Sequence, residues 1–201
     1  MTIIESLASL IVPVAAGLGG VTLGAFLTAW NERRRRQLDF IEKQLEEFYA
    51  PLLSIRKHVR ALSELRVRVA TVSGAVWQEL CADARERGGA QALQELTTAR
   101  SPAFNAIVEY ENEQWKSELL PSYRQMLAIF REKFWLAEGS TREHFQKLIV
   151  YIELWERALN GTIPGEVIAE LGVREAELDP LYSDLERSFE VLRHKLSSGT
   201  G

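Results

Sequence analysis

Apolar residues between positions 38 and 62 fall alternately three and four apart: Leu38, Ile41, Leu45, Phe48, Leu52, Ile55, Val59 and Leu62. This spacing keeps one side of an α-helix apolar over several heptads. The opposite side is charged (Glu42, Lys43, Glu46, Glu47, Arg56, Lys57, Arg60), and Arg66 ends the run at the next position of the series. Such a seam fits either the same segment of a second chain, as a coiled coil, or other helices of its own chain. Phe40, Tyr49 and Leu53 widen the stripe beyond a narrow seam, which favours the intramolecular bundle. Pro51 lies inside the pattern. It has no amide hydrogen and its ring collides with the carbonyl four residues back, so a kink is expected near "FYAPL".

Helical periodicity continues to the end of the chain. "SGAVWQELCADARERGG" sets Val76, Trp77, Leu80, Cys81 and Ala84 on one face, and Gly88-Gly89 is the expected stop. Ser101 as N-cap with Pro102 at the first position predicts a new helix, its buried side Phe104, Ile107, Val108, Trp115 and Leu119. Pro121 predicts another start, running to Gly139 over Tyr123, Met126, Leu127, Phe130 and Phe134. Ser140 and Glu143 have capping-box spacing at the head of a helix that is apolar over most of its circumference, from Phe145 to Leu159. Such a helix belongs in the middle of a bundle. "TIPGEVIAELG" reads as a short helix between turns. Asp179 as N-cap and Pro180 open the last helix, with Tyr182, Leu185, Phe189, Leu192 and Leu196 as its seam. No segment alternates with period two, so the fold class is all-α, with about five to seven helices in the bundle.

Ahead of the seam, residues 6–30 ("SLASLIVPVAAGLGGVTLGAFLTAW") contain no charged side chain. As a helix, residues 7–30 extend roughly 36 Å, against about 30 Å of bilayer hydrocarbon. The expected architecture is therefore one N-terminal transmembrane helix followed by a cytosolic multi-helix bundle. A cleaved signal peptide fits less well, because "MTIIES" lacks a basic side chain. Trp30 stands where an interfacial aromatic belongs. Arg33, Arg34, Arg35 and Arg36 after it predict that this side stays cytoplasmic, chiefly as a topology signal, with contact to anionic lipid head groups as the alternative. The segments expected are an extracytoplasmic 1–6, a span 7–30, a basic juxtamembrane 31–37, a helical cytosolic domain 38–197 and a frayed tail 198–201. The location is the cell (inner) membrane, single-pass. Within the span Ala16, Gly20, Gly24 and Thr28 recur every fourth residue, a small-residue stripe that lets two helices approach closely. A homo-oligomer is expected from it.

Charge sharpens this picture. The net charge is −4, yet residues 31–70 carry ten Lys/Arg against six Asp/Glu, so the basic part adjoins the apolar run and the distal part is acidic. No nucleic-acid partner is expected of that acidic part. The partners expected are the lipid bilayer and a cytosolic protein. Cys81 is the one cysteine, which excludes an intrachain disulfide and a multi-cysteine zinc site. His58, His144 and His194 are far apart and fit no metal-ligand spacing, and no phosphate-binding glycine loop or nucleophile elbow is present outside the apolar run. No metal, cofactor or catalytic residue is therefore expected. The one polar strip on a largely apolar helix, Glu153, Glu156 and Arg157, is the candidate polar cluster; a salt-bridged surface is its plainer explanation.

The order of span, arginines and F-Y-x-P-L, carried by Arg33–Arg36, Phe48, Tyr49, Pro51 and Leu52, resembles uncharacterised bacterial single-span membrane proteins with a helical cytosolic domain. The resemblance covers about the first quarter of the chain and implies no activity. The function expected is a membrane-tethered helical interaction, scaffold or sensor module. The alternatives are a membrane-disrupting effector whose span oligomerises under control of the bundle, and a tethered enzyme with an unrecognised helical active site.

Overall fold

The structure, a computed structural model, describes residues 26–172 and 174–199. All regular structure in them is helical. Helix α1 covers residues 26–44 and passes through a π-helical turn, Leu45–Tyr49, into α2, Ala50–Gln114. A second π turn, Trp115–Leu119, leads into α3, Leu120–Glu132. Then follow a 3-10 turn Phe134–Leu136, α4 Gly139–Arg142, α5 Phe145–Leu159, α6 Gly165–Glu170, a 3-10 turn Glu175–Leu178 and α7 Asp179–Ser198. Among the described residues no helix is long and apolar enough to cross a membrane. Residues 7–25 of the expected span, with Ala16, Gly20 and Gly24, lie outside the described residues. Thr28 is exposed on α1, as are Phe26, Leu27 and Trp30.

Helix α2 is two arms joined at Gly89, whose φ of 64° and ψ of −142° suit only a residue without Cβ. The outgoing arm (50–88) and the return arm (90–114) run antiparallel. His58 Nε2 lies 3.2 Å from Glu118, Arg66 Nε 3.8 Å from Glu111, and the Trp77 and Phe104 ring centroids are 4.9 Å apart, so numbers rise on one arm as they fall on the other. The glycine pair thus ends the outgoing arm where the sequence reading put its stop.

The core sits at the base of this hairpin. Phe48, Tyr49 and Leu52 are fully buried against Leu119, Tyr123, Met126 and Phe130, with Leu148, Leu181 and Leu185 closing the other sides. Phe48 meets Phe130 edge-on at 5.1 Å, and Phe130 stacks on Phe145 at 5.0 Å. The seam starting at Leu38 is spent inside the chain: Ile41, Leu45, Phe48, Leu52 and Val59 are buried, while Leu38, Ile55 and Leu62 are half-buried.

Two proline expectations are corrected. Pro102 does not start a helix but lies inside the return arm, where Thr98, the residue four back, is exposed. Pro121 does not start one either, since the chain reaches α3 through the π turn. Both π turns end two residues before a proline, at Pro51 and Pro121, and each closes with a wide bond, Ala50 N–H to Leu45 O and Leu120 N–H to Trp115 O. Widening the turn swings the preceding carbonyls away from the proline ring, so the helix continues. The Ser140/Glu143 capping box does not form: α4 begins at Gly139 after an extended Glu138, and no side chain caps α4 or α5. Helix α7 has no side-chain cap from Asp179 either. Finally, α5 is not central. It packs on α3 and leaves Ile149 and Val150 exposed.

Candidate functional site

Three features arise from this packing. The first is the polar strip singled out in the sequence. Arg157 Nε donates to Glu153 Oε1 at 2.7 Å, the expected pair one turn apart, but Glu156 turns to Arg124 of α3 at 2.5 Å. Both pairs are solvent-facing, so Glu153, Glu156 and Arg157 do not converge on a common point. The arginines after the expected span are likewise exposed. Arg34 Nε donates to the Gly199 carbonyl at 2.7 Å, capping the C-terminus of α7, and Arg36 approaches Glu32 at 3.4 Å.

The second feature is a buried hydrogen-bonded chain that joins four elements. The Glu138 amide donates to Tyr49 Oη at 2.9 Å, Tyr49 Oη lies 3.0 Å from Thr141 Oγ1, and Thr141 Oγ1 donates to Asp184 Oδ2 at 2.5 Å. Because the Thr141 proton is committed to the carboxylate, Tyr49 must be the donor in the middle link. Arg187 pairs with the other Asp184 oxygen. Gln44 Nε2 adds bonds to the Leu136 carbonyl at 2.7 Å and to Glu138 Oε1 at 3.0 Å. Burial raises the Tyr49 phenol above its ordinary value, opposed by its bonds to Thr141 and Glu138. Gln44, Thr141, Asp184 and Ser188 are buried, and the bonds made by the first three fix the register of α1, α4 and α7. Sequence reading missed them, although Asp184 and Ser188 interrupt the face of Leu181, Leu185 and Leu192, a visible signal.

Deeper in the core, Tyr123, Tyr151 and Tyr182 from α3, α5 and α7 are buried together, and the Arg56 guanidinium lies 3.7 Å from the Tyr182 ring centroid, paired with Glu175 at 3.2 Å. Burial pushes all three phenols well above their ordinary value, so they hold their protons at neutral pH, and the Tyr123 and Tyr182 hydroxyls, like Trp115 Nε1 and Trp155 Nε1, are buried without a hydrogen-bond partner among the described residues. Among the described residues no group of His, Cys, Asp and Glu is arranged to hold a metal ion.

No family model, curated protein or solved structure matches this chain.

The third feature is the arm itself. Beyond Val59 no residue of α2 is buried, and the two arms have chiefly each other as neighbours. From Leu62 to Gly88 the outgoing arm extends about 40 Å. In its middle, residues 69–78 of one arm and 101–108 of the other contain no charged side chain, and Trp77 against Phe104 sets these windows side by side. Val72 is 56% exposed, Val76 42% and Val108 55%. A helix apolar around its circumference is ordinarily covered. Here a charge-free belt of two helices, its only polar side chains Thr71, Ser73, Gln78, Ser101 and Asn105, stands open. Cys81 lies further along the outgoing arm, half-buried and free.

Proposed function

We propose that this chain is a membrane-tethered helical interaction module. Residues 7–30 anchor it as a single span, Arg33–Arg36 hold the remainder on the cytoplasmic side, and α2 carries a contact surface away from the bilayer. Self-association through Ala16, Gly20, Gly24 and Thr28 sets its valence, and a cytosolic protein is the partner recruited. The observation that carries this reading is the open, charge-free belt of the α2 hairpin. A two-helix arm exposing valines on its outside costs solubility unless it is used in contact.

The anchor is tested by fractionation and labelling. The full chain is expected in the membrane fraction and extractable only with detergent. With Cys81→Ser, a Thr200→Cys chain is expected to resist a membrane-impermeant thiol reagent in intact cells and to react after permeabilisation. Recovery of the full chain in the aqueous fraction, or labelling in intact cells, removes the anchor or its orientation.

A further inference from the structure

The outgoing arm carries a second heptad series that its own chain does not cover. Leu65, Arg68, Val72, Ala75, Glu79 and Ala82 are spaced alternately three and four apart, and all six are exposed. We propose that this stripe pairs with the same stripe of a second copy of the chain, antiparallel and two-fold symmetric about the Ser73–Gly74 peptide. The inference deepens the interaction reading by naming an occupant for the arm. It rests on the arm being a contact surface and not on the span.

The order of residue types selects this occupant and this direction. Under the two-fold, each residue faces the one whose number completes the same total: Leu65 meets Ala82 of the other copy, Val72 meets Ala75, and Arg68 meets Glu79. Each apolar contact joins a larger residue to a smaller one, and each charge meets its opposite, twice over by symmetry. A parallel pair sets Arg68 against Arg68 and Glu79 against Glu79, which like-charge repulsion disfavours. Neighbouring charges on the arm are already engaged within one chain: Arg60 with Glu64 at 2.6 Å, Arg66 with Glu111 at 3.8 Å, and Arg87 with Asp83 at 2.7 Å. Arg68 and Glu79 make no ion pair among the described residues, so both are free for a second copy.

The test uses the full chain in detergent carrying Gly20→Ile and Gly24→Ile, so that the glycine stripe cannot supply the contact, with mass read by sedimentation equilibrium. A dimer is expected. Arg68→Glu is expected to weaken it at least about tenfold, and Arg68→Glu/Glu79→Arg to restore it, because the antiparallel pair survives a charge swap. Register is read by disulfide formation in a Cys81→Ser background. Chains with Val72→Cys and chains with Ala75→Cys are expected to cross-link when mixed. Val72→Cys alone is expected to cross-link poorly, since symmetry mates are offset by three residues, roughly 4.5 Å along the helix. A monomer in the glycine-substituted chain, a dimer indifferent to Arg68→Glu, a charge swap that does not rescue, or efficient self-cross-linking of Val72→Cys each overturns the proposal.

Discussion

Tyr49 shows how one hydroxyl joins distant parts of the chain. It receives the Glu138 amide and passes a proton toward Thr141, which in turn binds Asp184, so α4, α7 and the π turn after α1 share one polar chain. Tyr49→Phe keeps the ring packed on Phe48 but leaves the Glu138 amide unpartnered and the Thr141 hydroxyl without its donor. The expected cost is about 1–2 kcal/mol, a fall in Tm of roughly 5 °C by calorimetry. A Tm equal to that of the unsubstituted chain shows that water replaces the hydroxyl. The tyrosines also set an alkaline limit. For Tyr49, Tyr123, Tyr151 and Tyr182 the folded value is raised above the ordinary 10.0, so the folded state holds its phenol protons after the unfolded state releases them. Their stabilisation is complete below pH 10 and is lost as pH climbs above it, by about 1.4 kcal/mol per pH unit for each phenol. Phenolate absorbance from these four is expected to rise together with the loss of helical circular dichroism. Ionisation of all of them in a chain still fully helical contradicts the burial argument.

At the level of elements, periodicity was legible and continuity was not. The heptad series from Leu38 and the glycine pair at 88–89 are local patterns whose physics is complete within a few turns, so they could be read directly. Pro102 and Pro121 could not, because a proline at a first turn, a proline following a π turn and a proline inside an unbroken exposed arm look alike in one sequence. For Pro121 the unbroken helix is rewarded by tertiary packing, since Trp115 and Leu119 are buried there. The Tyr49–Thr141–Asp184 chain was illegible for a related reason: its links span 92 and 43 residues. The strip at Glu153 stood out in sequence only because its helix is so apolar elsewhere. The arm's tip gives the element-scale prediction. Gly89→Ala forces a side chain into a backbone region that tolerates none, costing on the order of 1–3 kcal/mol. Gly88→Ala sets its Cβ 2.7 Å from that of Ala92. With few buried contacts of its own, the arm should open apart from the core. Hydrogen exchange in Gly89→Ala is expected to quicken roughly tenfold or more across 69–78 and 101–108, with α3 and α7 unchanged. Equal loss of protection in α7 makes arm and core one cooperative unit.

Considered whole, the molecule is one helical path from residue 26 to residue 88, about 95 Å in contour, with the core gathered on one stretch of it and the basic cluster near its beginning. That cluster is not four equal charges. Arg34 is held by the Gly199 carbonyl with its guanidinium 6.0 Å from the Trp30 ring, and Arg36 is drawn to Glu32. Arg33 and Arg35 make no ion pair among the described residues and are the two available to an anionic surface. Each basic residue near such a surface contributes about 1 kcal/mol, so the pair contributes about 2 kcal/mol, a factor of roughly thirty. Because Ile41 is the first buried residue among the described residues, a chain of residues 31–201 is expected to keep the fold. In vesicle sedimentation it should prefer anionic over neutral lipid by roughly that factor at physiological salt. The preference should collapse near 1 M salt, where the screening length falls from about 8 Å to about 3 Å. Arg33→Gln/Arg35→Gln should abolish it, whereas Arg34→Gln should leave most of it and instead loosen the end of α7. Equal losses from the two substitutions would mean that the hold of Gly199 on Arg34 yields to the membrane, and that the basic cluster acts by its total charge alone.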